Sequence, residues 1–329
     1  MGVKLSFVDI CHASKVVSND FYLKHFKQQD KNVEHLLAEV MGRDRRFMFD
    51  DEEETTLSLA VKASKSVLDK ANLTGDDIDV LAYSSILSEY IAPSTSILIH
   101  KELNAGRNVM CFDMNANCAG MTIALENISN YLMSSKRAKR ALVVGCDDVH
   151  SLTDPDNELC YGNYGHAACA IILEKVDEEC GVIDTEYYVN TEESNNIMYP
   201  SCGFSSFFNS KNIEELNLKW LPFDGGACVY PAVDIIKKML KENGLTKDDI
   251  SMFCFSQFAY VNIKKIRELL DISEDKSIYI GDKYGYTGTT SPLIALYESI
   301  KKGTIKRGDY IIFWTIGAGS QSIVVLYKY

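Results

Sequence analysis

One segment, residues 112–121, constrains the fold of this chain more than any other part of the sequence. It follows the apolar residues 109–111 and begins in a way that is typical of the end of a buried strand. From Met121 onward, apolar residues recur at helical spacing, so a helix is predicted to follow at once. Cys118 therefore lies at a predicted strand-to-helix turn, where helix N–H groups favour a thiolate and can hold a developing oxyanion. This is the expected geometry of a cysteine that carries an acyl group.

The other cysteines fit simpler explanations. The chain has ten cysteines, and a free cysteine is usually a small core residue. Cys111, Cys169 and Cys254 lie in apolar strand-like runs and Cys146 follows one, so we predict that these four only pack. The remaining five are scattered in or near loops. No pair has the spacing of a zinc site or a disulfide framework, so we expect no metal, no resident cofactor and a reducing, cytoplasmic compartment.

Length and charge exclude several classes of protein. The chain has 329 residues, enough for two domains or two fused halves. Its formal net charge of −12 argues against general nucleic-acid binding, and no apolar run reaches membrane-spanning length. Basic residues cluster at 136–140 and at 264–267. These clusters are either solvated helix ends or docking sites for an acidic carrier protein or the phosphates of coenzyme A.

Helices and strands alternate along the whole chain, which indicates an α/β fold with largely buried sheets. Residues 72–78 and 244–250 are similar, and each lies between a helix and a short strand, which suggests duplicated halves. Residues 211–222 are predicted to be an insertion over the surface. Strands are predicted at 4–10, 78–84, 140–146, 167–173, 181–189, 252–256, 310–315 and 322–327, and helices at 53–71, 94–103 and 229–243, after Cys118 and from Pro292.

Further motifs stand in a distinctive order. Along the chain they are Gly42-Arg43-Asp44-Arg45-Arg46, Pro93-Ser94, Tyr164-Gly165-His166-Ala167-Ala168, Gly285-Tyr286-Thr287, Ile305-Lys306-Arg307-Gly308-Asp309 and Gly317-Ala318-Gly319. Together with residues 112–120, their order and spacing resemble the ketoacyl-acyl-carrier-protein synthase III branch of the thiolase superfamily, over nearly the whole length.

This resemblance implies a thiolase-like α/β fold in which two related halves, residues 1–175 and 176–329, form a five-layer αβαβα sandwich. It implies a homodimer through the first half, with a heterodimer as an alternative. It also implies that Cys118 carries the acyl group and that the amides of Cys118 and Gly319 form the oxyanion hole. The partners would be acyl-CoA or an acyl carrier protein, so that coenzyme A or phosphopantetheine serves as the substrate carrier rather than as a cofactor.

The chain departs from this branch at two positions. Ser256 stands where the branch has a histidine, and Tyr286 where it has an asparagine, the two donors that stabilise the enolate of decarboxylated malonate. Loss of one such donor costs about 10²–10³ in rate. Hydroxyls can donate hydrogen bonds, but neither is a good general base at neutral pH. We therefore predict an acyltransferase of fatty-acid, polyketide or other specialised metabolism. A condensing enzyme that uses other residues and a non-catalytic partner subunit of another synthase are the alternatives.

Several residues are assigned around this centre. By resemblance, the loop with Ile86, Tyr90 and Ala92 reaches into the acyl tunnel of the other subunit, where the small Ala92 leaves room for a longer chain; alternatively, this loop only packs the dimer. Contacts to the carrier or to coenzyme A are predicted for Arg43, Lys264 and Lys265. His150 is either a pocket residue or part of a surface loop, and we expect a structural role for His166.

Overall fold

Two β-sheets organise the protein. The computed structural model describes the backbone of residues 1–329 and the side chains of all of these except residues 213 and 214. The strands are β1 (Gly2–His12), β2 (Lys15–Ser18), β3 (Arg45–Met48), β4 (Val80–Ser84), β5 (Met110–Met114), β6 (Arg140–Gly145), β7 (Ala167–Val176), β8 (Gly181–Val189), β9 (Ile197–Met198), β10 (Lys219–Trp220), β11 (Ile250–Phe255), β12 (Tyr310–Gly317) and β13 (Gln321–Lys328). One sheet has the order β1-β7-β6-β4-β5 and the other β11-β12-β13-β8.

The helices form three layers around these sheets. They are α1 (Asn19–Lys27), α2 (Thr56–Ala71), α3 (Thr95–Glu102), α4 (Gly120–Ser134), α5 (Phe204–Phe207), α6 (Val229–Glu242), α7 (Tyr260–Leu270), α8 (Gly281–Tyr284) and α9 (Ser291–Lys301). Helices α4 and α9 contact strands of both sheets and lie between them. Helices α2 and α3 cover the outer face of the first sheet, while α6 covers the second sheet and packs against α7. The predicted five-layer αβαβα sandwich is confirmed.

The central strands are apolar on both faces because helices cover both. β4 pairs in parallel with β5 on one side and β6 on the other, and every residue of β4 is buried. Such strands read as continuous hydrophobic runs rather than as an alternation of polar and apolar residues. This is why the sequence predicted them well.

The similar segments near residues 74 and 246 adopt the same turn. In the first, the Thr74 amide and hydroxyl both donate to the Asp77 carboxylate, at 2.8 and 2.9 Å. In the second, Thr246 donates to Asp249 in the same way, at 2.7 Å from each atom. Each turn leads from a helix into a strand, β4 or β11. The similarity seen in the sequence therefore has a shared hydrogen-bonding basis.

The free edge of β1 is closed by side chains from the end of the chain. A bulge between Leu5 and Phe7 interrupts the pairing of β1 with β7. The buried hydroxyl of Tyr327 accepts from the Leu5 amide and donates to the Val3 carbonyl, at 2.6 and 2.9 Å. Arg307 donates to the carbonyls of Leu5 and Ser6, at 2.7 and 2.6 Å. These bonds satisfy backbone groups that no strand pairs with, and they join the first sheet to the second.

Two features differ from the expectations. The antiparallel strand pair β2–β3 and the helices α1 and α7 were not predicted. The prediction that residues 211–222 lie over the surface is wrong in part, because Leu218 and Trp220 are only 4% and 8% exposed and pack against Tyr164 and Tyr286. This segment pairs through β10 with β9 and covers a cavity. No helix of the described chain has both the length and the apolar character needed to cross a bilayer.

We expect Tyr327→Phe to lower the free energy of unfolding by about 1–3 kcal/mol, because it leaves a buried amide and a buried carbonyl of β1 without partners. Chemical denaturation, monitored by circular dichroism, measures the free energy of unfolding of each variant. Tyr310→Phe is the matched control, since its half-buried hydroxyl makes no hydrogen bond in the described part of the chain. Equal stability of the two variants would contradict the role given to Tyr327.

Candidate active site

Cys118 lies where predicted, in the turn between β5 and α4. Asn117 adopts a left-handed backbone with φ of 50°, and its amide donates to the Asn115 side chain at 2.9 Å. Asparagine tolerates this conformation because its side chain bonds to nearby backbone. The Asn117 side chain also donates to the carbonyl of Ala318 at 3.3 Å. The turn is therefore tied to the loop between β12 and β13.

That loop approaches the cysteine turn closely. A Cβ on Gly317 would lie 2.8 Å from the Ala116 carbonyl oxygen, so only glycine fits there. Gly319 has φ of +81° and faces open space, so its backbone conformation rather than crowding favours glycine. The Thr315 hydroxyl donates to the Cys118 carbonyl at 3.1 Å. The predicted proximity of residues 317–319 and Cys118 is thus present, whereas the oxyanion hole itself stays a prediction.

Cys118 lines a cavity of about 330 Å³. Residues of the covering segment, Leu218, Trp220 and Phe223 among them, form one side. The aromatic rings are in contact around the cavity: the ring of Tyr164 lies 5.8 Å from that of Tyr286, and the ring of Phe258 lies 5.6 Å from that of Tyr286. A largely apolar cavity with a thiol in its wall suits an acyl chain.

The two substituted positions lie together at the thiol. The Tyr286 hydroxyl lies close enough to the Cys118 thiol to lower the pKa of that thiol, and the Ser256 hydroxyl lies 3.3 Å from the Tyr286 hydroxyl. Tyr286 is 2% exposed and lines the cavity, whereas Ser256 is not part of the lining. Burial raises the pKa of Tyr286 well above its usual value. Tyr286 therefore stays protonated beside the thiol at neutral pH.

The expectation of a stabilised Cys118 thiolate is wrong. Burial, together with the nearby Asp147 carboxylate, raises the pKa of Cys118 to about 12. The N–H groups at the start of α4 already have partners, because Gly120 donates to Asn117 at 3.0 Å and Met121 donates to the Thr289 hydroxyl at 2.7 Å. The helix terminus thus has less capacity left to stabilise a charged sulfur, and the thiol is protonated at neutral pH.

Asp147 was not identified from the sequence. Burial raises its pKa to about 6, against the opposing effect of hydrogen bonds from Thr289, Ile86 and Ser85. The amides of Ile86 and Thr289 donate to its two oxygens at 2.7 and 2.8 Å. This carboxylate therefore joins the loop after β4 to the segment that contacts the start of α4. Its position directly after a buried strand was the signal available in the sequence.

The three residues assigned to the acyl pocket do not all line the cavity of this chain. Ile86 lines it. Tyr90 is 54% exposed, Ala92 is also exposed, and neither belongs to the cavity lining. Since their assigned role is in the tunnel of a second subunit, it stays a prediction.

The assignment of Arg43 to a carrier contact is wrong, because this side chain is only 2% exposed. Its guanidinium donates to the Asn163 side chain at 2.9 Å and to the carbonyls of Gln257 and Phe258 at 2.7 and 2.8 Å. Arg43 therefore holds the segment that follows β11 in place. Lys264 lies over the Tyr260 ring at 4.7 Å and Lys265 pairs with Glu268 at 3.0 Å, both on α7 outside the cavity lining, and their role stays a prediction.

The two histidines near β6 and β7 have packing roles. His150 stacks on Tyr161 with 4.9 Å between ring centroids, and burial lowers its pKa to about 4. It is half-buried rather than in a surface loop, and it does not line the cavity. His166 pairs with Asp148 at 2.9 Å and stacks on Phe49, as a structural residue does.

Known proteins are similar to this chain in sequence and in fold. The family model described as 3-Oxoacyl-[acyl-carrier-protein (ACP)] synthase III matches residues 112–191, and the one for its C-terminal part matches residues 240–329. The chain belongs to the 3-oxoacyl-[acyl-carrier-protein] synthase III family. The matched regions include Cys118 as well as Ser256, Tyr286 and Gly319, so the substitutions lie within the family core.

Individual members of the synthase III family are similar over the full length. The β-ketoacyl-[acyl-carrier-protein] synthase III of Aquifex aeolicus (strain VF5) is 26% identical over 329 residues, 100% of both chains. That of Aliarcobacter butzleri (strain RM4018) is 28% identical over 321 residues, 96% of this chain and 94% of its own. The crystal structure of the Aquifex aeolicus protein superimposes with a TM-score of 0.85 at 23% identity and 100% coverage of both chains, which shows the same thiolase-like fold.

Alkylation of Cys118 by iodoacetamide should quicken about tenfold per pH unit from pH 7 to 10, without a plateau, because the thiol pKa is raised to about 12. Peptide mass spectrometry isolates the Cys118 signal from the other cysteines. Tyr286→Phe removes a hydrogen bond that lowers this pKa, and should slow alkylation by about tenfold at fixed pH. Tyr164→Phe, on a neighbouring ring, should stay near the parent rate. A plateau near neutral pH would show that the thiolate is stabilised after all.

We expect Arg43→Ala to lower the free energy of unfolding by about 3 kcal/mol, because buried carbonyls lose a charged donor. The exposed neighbour Arg45 is the control, and Arg45→Ala should change stability by less than about 0.5 kcal/mol. Unchanged stability of Arg43→Ala together with a raised KM for acyl-CoA would instead support the carrier contact.

Proposed function

We propose that this protein is an acyltransferase in which Cys118 accepts an acyl group from a thioester of coenzyme A or of an acyl carrier protein and passes it to an acceptor. The observation that carries this proposal is a thiol in the wall of a largely apolar cavity, beside the loop of residues 317–319. The named relatives are β-ketoacyl-[acyl-carrier-protein] synthases III, which supports chemistry on acyl thioesters.

Loading exchanges one thioester for another. The Cys118 sulfur attacks the donor carbonyl, a carbon–sulfur bond to Cys118 forms, and the bond to the donor sulfur breaks. The proton lost from Cys118 leaves with the donor thiol, so no net charge develops. Amides near Cys118 and Gly319 would hold the oxyanion during this step. The Tyr286 hydroxyl, which lowers the pKa of the Cys118 thiol, would stabilise the sulfur as it loses its proton.

The same geometry favours simple transfer over decarboxylative condensation. An enolate needs fixed donors at its oxygen. Here the donors expected at this position are replaced by the Ser256 and Tyr286 hydroxyls, which lie 3.3 Å apart, and the Tyr286 hydroxyl lowers the pKa of the Cys118 thiol. No histidine lines the described part of the cavity. We therefore infer that loading and transfer are the efficient steps, with condensation as the alternative.

Exposure of the purified protein to a panel of acyl-CoA thioesters, followed by intact-protein mass spectrometry, tests this proposal. We expect an adduct of acyl mass on the parent, none on Cys118→Ala, and a normal adduct on the control Cys111→Ala, since Cys111 lies on β5 outside the cavity lining. Equal loading of Cys118→Ala and the parent would rule the proposal out. Carbon dioxide release from malonyl carrier protein above the Cys118→Ala background would instead favour the condensing alternative.

We also propose a homodimer through the first half of the chain. β5 is an edge strand of the first sheet, and the nearby Met110 and Ile97 are 38% and 45% exposed. An unpaired edge with apolar neighbours favours pairing with a second chain. Light scattering of the purified protein measures its mass, and co-purification of a different thiolase-fold chain would indicate the heteromeric alternative.

A further inference from the structure

We propose that the acyl acceptor is an organic amine that enters the cavity as a cation and leaves as an amide. This inference rests on the proposed function, because it requires an acyl group on Cys118. It names the acceptor class from the charges and rings that line the cavity.

The charged residues of the cavity lining are all acidic. Glu192, Glu193 and Asp224 contribute carboxylates, and among the lining residues that the structure describes there is no Lys, Arg or His. The carboxylates come from two parts of the chain, two of them just after β8 and one just before α6. A cavity whose charged residues all have one sign concentrates ligands of the other sign.

These carboxylates are exposed and available to a ligand. Glu192 accepts from the Asn190 side chain at 3.3 Å, and Asp224 accepts from the Gly226 amide at 2.9 Å. Within the described part of the chain, none of the three carboxylates forms an ion pair. Their charge is thus not neutralised by the protein itself.

Aromatic rings connect this acidic part of the lining with the thiol. Phe223, next to Asp224, lies 5.9 Å from Trp220, and Trp220 lies 6.2 Å from Phe258. Phe258 in turn contacts Tyr286, whose hydroxyl bonds to Cys118. Ring faces attract cations and also pack apolar groups. An ammonium group on an apolar or aromatic body matches both properties.

An anionic acceptor suits this cavity poorly. The carboxylate of a malonyl group would be repelled by Glu192, Glu193 and Asp224, with no lining cation to bind it among the described residues. The acyl donor differs from a malonyl acceptor in that the pantetheine arm next to its thioester is uncharged.

The transfer step balances with the groups present. The ammonium first releases one proton to water. The free amine attacks the acyl carbon, a carbon–nitrogen bond forms, and the carbon–sulfur bond to Cys118 breaks. The second proton passes from nitrogen to the Cys118 sulfur, which regenerates the thiol. Neither an oxidant nor a metal is consumed.

The experiment separates loading from discharge. The protein is first loaded with octanoyl-CoA and the Cys118 adduct is confirmed by mass. The adduct is then chased with 2-phenylethylamine, 2-phenylethanol or malonyl N-acetylcysteamine thioester, and loss of the adduct and formation of product are followed over time. We expect the amine to discharge the adduct at least about tenfold faster than the alcohol, with amide as the product. This preference should weaken as salt is raised, because screening acts on exposed charges.

A matched pair of variants tests the carboxylates. The first triple variant replaces the lining carboxylates by Glu192→Gln, Glu193→Gln and Asp224→Asn. It should lower the ratio of amine to alcohol discharge by about tenfold. The control variant changes the net charge equally at exposed sites outside the cavity lining, by Glu102→Gln, Asp177→Asn and Glu179→Gln, and it should leave the ratio unchanged.

The outcomes distinguish the two proposals. Failure to load Cys118 would overturn the proposed function. Normal loading with discharge by the malonyl thioester, or with an amine no faster than the alcohol, would overturn the amine acceptor alone. An equal fall in the ratio for both triple variants would show that net charge, rather than the cavity lining, sets the preference, and would also overturn it.

Discussion

The start of α4 is held in place by both halves of the chain. The Thr289 hydroxyl accepts from the Met121 amide at 2.7 Å and lies 3.2 Å from the Ser84 hydroxyl, while the Thr289 amide donates to Asp147. On the other side, Thr315 donates to the Cys118 carbonyl. A thiol in a turn that connects two elements would be mobile if only one half held it. Contacts from the second sheet and from the segment before α9 therefore fix where the sulfur lies in the cavity.

The same contacts determine the reactivity of the thiol. Because Thr289 and Asn117 use two amides at the start of α4, the groups left to favour a charged sulfur are the Tyr286 hydroxyl and the backbone amide of Cys118. The pKa of Cys118, raised to about 12, makes the thiol slow to react with electrophiles. In the proposed loading step this proton leaves with the donor sulfur.

The sequence predicted the parts of the structure that depend on local patterns. Central strands such as β4 and β6 are continuous apolar runs, and Cys118 follows one such run directly. What could not be predicted depends on which side chains meet in space. Arg43 looked like a surface cation, but three-dimensional packing places it against the carbonyls of Gln257 and Phe258. Likewise, the pKa of Cys118 depends on burial and on Asp147, a residue 29 positions away in the sequence.

The substitutions at the thiol and the charges of the lining are consistent with one another. Decarboxylation of malonate builds negative charge on an enolate, which the branch meets with a histidine and an asparagine. Ser256 and Tyr286 remove those donors, and Glu192, Glu193 and Asp224 add charge of the wrong sign for such a substrate. Attack by an amine has different needs, because positive charge develops on nitrogen and negative charge on the acyl oxygen. Under the proposal, the lining carboxylates attract the amine as a cation and backbone amides beside Cys118 would hold the charge on the acyl oxygen, so both sets of changes favour the same kind of acceptor.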